Sequence, residues 1–166
     1  MSVIYERRSI RKFKKTIVDK TLLDEIVRAG MYAPSAGNAQ PWHFIIVDNK
    51  EVIKKIQEIK KNTKVLDDVN SLIVVLGDRN LEKAKDISYA DLGASTENIL
   101  LRAKELGLDT CWLSVYPYDD LMNSVQKLFK LPPYIYPFCV IAVGYSDMDA
   151  HSEQRFHKEK IHYNEW

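Results

Sequence analysis

The chain has 166 residues, 46% of them apolar and 28% charged, with a formal net charge of +1. That length suits one domain spanning 1–166 with an ordinary core, and the balanced charge excludes a global field drawing the protein to nucleic acid or an anionic membrane. Two cysteines without CxxC spacing exclude a disulfide framework, and no apolar run approaches the ~20 residues of a membrane-spanning helix.

The N-terminal "MSVIYERRSIRKF" lacks the apolar core of a signal peptide, so a cytoplasmic location is expected. Residues 2–8 can form a short helix ending near the basic run "RRSIRK". Asp19 is a good N-cap for "KTLLDEIVRAGMYA", in which Leu22, Leu23, Ile26, Val27 and Met31 keep helical spacing. Pro34 stops that helix and opens the turn-rich stretch "APSAGNAQPWHF" at 33–44. A buried strand "HFIIVD" follows, then an amphipathic helix "KEVIKKIQEIKK" with Val52, Ile53, Ile56 and Ile59 on one side. "SLIVVLGD" (71–78) reads as a second buried strand, and residues 86–107 as the longest helix, closed by Gly107. "DTCWLSVYP" is a third strand, stopped by Pro117. "YDDLMNSVQKLF" is a further helix, and "YIYPFCVIAVGYS" holds the fourth strand. Strands alternating with helices predict a layered α/β or α+β arrangement. The last twenty residues show no core pattern, yet they end in the bulky Tyr163 and Trp166, which suggests docking on a partner subunit.

Few segments carry recognisable chemistry. Arg7, Arg8, Arg11 and Lys12 flank Ser9, either as a solvated basic face or as a phosphate grip of forked, charge-assisted donors plus one hydroxyl. No GxxxxGK[ST] and no GxGxxG follows a strand, which argues against a Walker or Rossmann site. His151, His157 and His162 match no zinc spacing, no GxSxG elbow is present, and no metal is expected. Trp42, Trp112 and Phe138 are core residues by default, and Cys111 and Cys139 read as small buried hydrophobes.

Taken in order, four stretches resemble the nitroreductase family. These are "RRSIRKF", "APSAGNAQPWHFIIV", "YADLGASTENILLRAKELGLDTCWLSV" and the C-terminal "GYSD…RFHKEKIHYNEW". The resemblance implies an α+β fold with a central mixed sheet of about four strands flanked by helices. It implies an intertwined homodimer completed by an exchanged C-terminal segment, with FMN bound non-covalently at the subunit boundary. By position, Arg7, Arg8, Ser9 and Arg11 would come from one subunit. Arg7 and Ser9 would serve the phosphate and ribityl chain, and Arg11 the N1/O2 edge of the ring. Pro34, Ser35, Ala36 and Asn38 of the other subunit would line the ring, with Gln40 and Trp42 holding that turn on the core. Leu113, Ser114 and Val115 would present backbone groups, and Arg155, with Lys158, would close on the phosphate from the tail. A second cation near the flavin could be Lys60, Lys61 or Lys64. The implied activity is hydride transfer, in a ping-pong cycle, from NAD(P)H to a nitroaromatic, quinone or similar small-molecule acceptor. Alternatives on the same fold are reductive dehalogenation, flavin destruction, or a non-catalytic flavin-binding or redox-sensing role. Only about a dozen residues, "RNLEKAKDISYA", separate the second strand from the long helix, so a minimally lidded pocket is expected.

Overall fold

Capping chemistry fixes most helix boundaries in the computed structural model, which describes residues 2–61, 63–83, 87–149 and 154–166. Helix α1 is a single turn, Val3–Glu6. The α2 helix (Lys20–Met31) starts at Asp19, whose carboxylate accepts from the Thr21 N–H at 2.8 Å and from the Thr21 hydroxyl. Likewise α3 (Lys50–Ile59) starts at Asn49, whose Oδ1 accepts from the N–H groups of Glu51 and Val52. The α4 helix (Ser88–Glu105) is the longest. The expected start at Asp86 lies outside the described residues. Its end is set by Gly107, which takes φ +77° at no Cβ cost. The Leu108 N–H then reaches back to Ala103 O at 2.8 Å, and the Gly107 N–H to Lys104 O at 3.1 Å, satisfying carbonyls the helix would leave orphaned. Helix α5 spans Asp119–Phe129.

Four strands, β1 (Trp42–Val47), β2 (Ser71–Asp78), β3 (Asp109–Ser114) and β4 (Ile135–Gly144), form one sheet in the order β1-β2-β4-β3. All three strand pairings are antiparallel, where a mixed sheet was expected. The reason is topological. β2 and β3 run the same way, but β4 inserts between them, so no two parallel strands are neighbours. A parallel contact survives only as the isolated bridge between Ser9 and Thr110.

Every residue of β2 and β4 is buried, because helices cover both faces of the sheet. That explains their uninterrupted apolar runs. Leu72, Val74 and Leu76 with Val140 and Ala142 face a core shared with α3, α5, Ile10 and Phe13. Ile73 and Val75 with Cys139, Ile141 and Val143 face α2 and α4. Both cysteines are free and buried, as expected, and desolvation pushes the Cys139 thiol up to about 12. The register shifts between Val75 and Leu76, leaving Phe138 as a bulge beside Pro137, which has no N–H to give the ladder.

Gly77 holds a tight spot at the end of β2. A Cβ there would land on the Tyr136 ring. That ring is pinned: its hydroxyl shares a 3.0 Å hydrogen bond with Ser88 Oγ, and the Arg79 guanidinium lies 5.0 Å from its centroid. Gly77→Ala should therefore cost about 2 kcal/mol, as overpacking typically does. Thermal unfolding should show a loss of roughly 4–8 °C. An unchanged midpoint would mean that Tyr136 yields freely.

The C-terminal residues 154–166 contain only a short 3-10 turn, Lys158–Lys160, and all of them are exposed. Trp166 has a relative exposure of 101% and Tyr163 of 81%. Among the described residues no helix is long and apolar enough to cross a membrane.

Candidate functional site

The basic N-terminal cluster lies along β3, the edge strand. Ser9 forms the bridge to Thr110, and the Ile10 N–H donates to Thr110 O at 2.9 Å. Arg7 follows α1 directly. Its Nε donates to Glu97 of α4 at 3.1 Å, and its Nη donors have no partner among the described residues. One carboxylate thus orients the guanidinium while its outer donors stay available to an anion. Arg8 is half-buried and already engaged with neighbouring groups. Arg11 is exposed and makes a 3.4 Å bond from Nη1 to Ser9 O. Its charge is felt by Cys111: burial pushes that thiol up, and Arg11 works against the shift. Arg11 therefore lies within electrostatic reach of the middle of β3.

The turn between α2 and β1 is built from its own side chains. Ser35 Oγ accepts from the Gln40 N–H at 3.0 Å, and Asn38 Oδ1 accepts from Gln40 Nε2 at 2.9 Å. Gly37, Asn38 and Gln40 all have positive φ, between 49° and 56°. Such a backbone persists only where surroundings hold it. Part of the hold comes from Asp91, a buried carboxylate on α4 that accepts the Ala36 N–H at 3.0 Å. Pro34 and Asn38 are exposed, Ser35 and Ala36 partly so. Trp42 is buried in the α2–α4 core, and Gln40 braces Asn38, in line with supporting roles for both.

The third group sits at the far end of β3. Leu113 and Val115 are buried, and Ser114 between them is exposed. The Val115 N–H donates to Phe138 O at 3.2 Å, and Val115 O accepts from the Tyr118 N–H at 3.0 Å. Val115 consequently has no free backbone group, against the expectation that it presents one. The Phe138 bulge consumes it. Ser114 O accepts from Lys60 Nζ at 2.6 Å. Of the three candidate lysines, Lys60 is the one tied to this strand end. Burial pushes its ammonium pKa down.

Within one chain these groups do not converge. Thr110 pairs with Val143, whereas Ser114 pairs with Cys139, so the Ser9 and Ser114 ends of β3 are roughly 13 Å apart at strand rise. The turn enters the sheet at Trp42 of β1, the other edge strand, where it pairs with Gly77 of β2, three strand spacings or roughly 14 Å from β3. Arg155 and Lys158 lie in the exposed tail, Arg155 already engaged. His151 falls outside the described residues. No group of three or more His, Cys, Asp or Glu converges as a metal site among the described residues.

Sequence reasoning missed Asp91 and Glu97, the two α4 carboxylates that position the turn and Arg7. Asp91 did carry a signal, since it falls four residues before Ser95 on the buried face of the helix. Glu97 carried none, because its partner is 90 positions away. The donor set fits an FMN-sized anion. It offers free Nη donors on Arg7, the exposed Arg11 and Ser9, and a partly desolvated ammonium at Ser114.

The "Putative NADH dehydrogenase/NAD(P)H nitroreductase" of Methanothermobacter thermautotrophicus is 37% identical over 166 residues, covering 100% of this chain and 87% of that protein. The NAD(P)H-linked FMN reductase of Bacillus subtilis is 25% identical, over 96% of this chain and 71% of that one. The solved FMN-dependent nitroreductase of Clostridium difficile R20291 superposes with a TM-score of 0.91 at 29% identity, covering 99% of both chains. The sequence model described as the nitroreductase family matches residues 4–63 and 59–145, and with that match the chain is established as a member of the nitroreductase family.

Proposed function

We propose that the protein is a single-domain, FMN-dependent NAD(P)H oxidoreductase that works as a homodimer with two equivalent sites. The observation that carries this reading is the separation just described. The basic cluster and the polar turn each present polar groups outward, yet sit at different ends and edges of one sheet. A second copy can bring the turn of one protomer to the β3 edge of the other. The names of the relatives, nitroreductase and FMN reductase, support the cofactor and the reductant.

FMN, when bound, supplies the hydride-accepting and hydride-donating chemistry, in a ping-pong exchange between NAD(P)H and a nitroaromatic, quinone or similar acceptor. The chain's own part is binding and electrostatics. Arg7, held by Glu97, and Ser9 grip the phosphate, and Arg155 and Lys158 add cations from the tail. Arg11 and Lys60 place positive charge near the ring edge, where negative charge develops on reduction. Pro34, Ser35, Ala36 and Asn38 wall the ring from the partner, and Asp91 fixes their backbone. No side-chain acid or nucleophile is required. The two buried, unpaired thiols suit a reducing cytoplasm.

A visible spectrum with anaerobic titration tests this. The purified protein should show flavin absorbance that bleaches with NADH or NADPH and returns on adding a quinone or nitroaromatic. Bound flavin that neither nucleotide bleaches would replace the enzyme with a flavin store or sensor. Product analysis on halogenated acceptors would detect dehalogenation.

A further inference from the structure

A cavity of about 360 Å³ uses none of the candidate flavin-binding residues and lies between the start of α3 and the 64–70 segment. Lys50 and Lys54 of α3 line one side, and Lys15 reaches it from the extended stretch after Phe13. None of these three lysines forms an ion pair among the described residues. Asn70 lines it too, and its side-chain Nδ2 is buried with no hydrogen-bond partner among the described residues. A buried donor left unpaired costs stability unless something accepts from it. Two carboxylates share the cavity. Asp67 accepts from the Gln57 side-chain amide but keeps its charge, so Asp67 and Asp68 together can offset two of the three lysines. The lining therefore keeps one positive charge in excess, three ammoniums against two carboxylates, with the Asn70 amide as a further donor.

We propose that this cavity binds the diphosphate group of a small molecule, at a site separate from the flavin phosphate. Three ammoniums and an amide donor lining one cavity suit an anion with several acceptor oxygens. The volume lies within the small-molecule range and is larger than a lone halide would need. Separation from the flavin grip follows from the sheet. Asn70 adjoins Ser71 at the start of β2, and β4 and β3 lie between it and Ser9. That is three strand spacings, roughly 14 Å. The reading does not depend on the oxidoreductase assignment, because the cavity uses none of its residues.

The test is calorimetric titration of the FMN-saturated protein with inorganic pyrophosphate, and separately with ADP, at low ionic strength. One saturable site per chain is expected for both, weakening as salt rises. Equal affinities would show that the diphosphate alone is read, and tighter ADP binding that a nucleoside adds contacts. Lys50→Ala with Lys54→Ala should weaken pyrophosphate binding at least tenfold and leave the flavin spectrum unchanged. Arg7→Ala should not alter pyrophosphate binding. Absence of a saturable site, unchanged affinity in the double variant, or loss of binding in Arg7→Ala would each overturn the proposal. The last result would assign the ion to the flavin's phosphate grip.

Discussion

Deleting residues 154–166 should abolish both the dimer and the bound flavin. This segment buries none of its side chains on its own chain, yet it carries Phe156, Ile161, Tyr163 and Trp166 at relative exposures of 65, 43, 81 and 101%. Within the tail, His162 stacks on Trp166 with centroids 4.4 Å apart, and His157 Nδ1 lies 3.0 Å from Glu159 Oε1. Fully burying a large apolar side chain is worth about 1.5–3 kcal/mol, so four of them would contribute on the order of 8 kcal/mol per tail before ordering costs are subtracted. A twofold dimer would gain that twice. No surface covers these groups within the chain. A second protomer is the natural place for them, and α1 and α2 expose Ile4, Tyr5, Met31 and Tyr32 in return. The truncated protein should sediment as a monomer and elute colourless. A truncated dimer that still holds FMN would show that the interface is built elsewhere and that Arg155 and Lys158 are dispensable.

Legibility in the sequence followed how local the physics was. Asp19, Asn49 and Gly107 act within a few residues, so the helix ends were readable from the chain. The uninterrupted runs of β2 and β4 showed burial on both faces before any partner was known. The strand order was not readable. Nothing in the composition of β4 says that it slots between β2 and β3, and the all-antiparallel sheet follows from that insertion alone. The site divides in the same way. The turn announced itself through its polar residues, but the hold of Asp91 on Ala36 spans 55 positions and that of Lys60 on Ser114 spans 54. Periodicity cannot register contacts of that range. The engagement of Val115 was equally hidden, because it depends on a bulge in another strand.

Replacing Arg11 by methionine should lower the two-electron reduction potential of the bound flavin by about 30–60 mV while FMN stays bound. Methionine keeps an unbranched apolar stem and removes the charge. Reduced FMN carries negative charge at its N1/O2 edge, so a nearby cation favours the reduced form over the neutral oxidised one. For a two-electron couple, 30 mV corresponds to about 1.4 kcal/mol. A shift of one to two such steps is what loss of one cation at the ring edge can deliver. Arg11 is suited to the role by position. Among the described residues it is anchored through Ser9 O, and its field already reaches Cys111 in the middle of β3. Binding of oxidised FMN should persist because the proposed phosphate grip lies at Arg7 and Ser9 instead. Arg11→Lys should recover most of the potential, since a point charge suffices where forked geometry is not needed. Lys60 provides an internal comparison. Its ammonium is held on Ser114 O and is partly desolvated, so Lys60→Met should produce a drop of its own, and the double variant should show the two drops summed if the cations act independently. A potential that does not move in Arg11→Met, measured with FMN confirmed bound, would remove Arg11 from the ring edge and leave Lys60 as the cation that sets it.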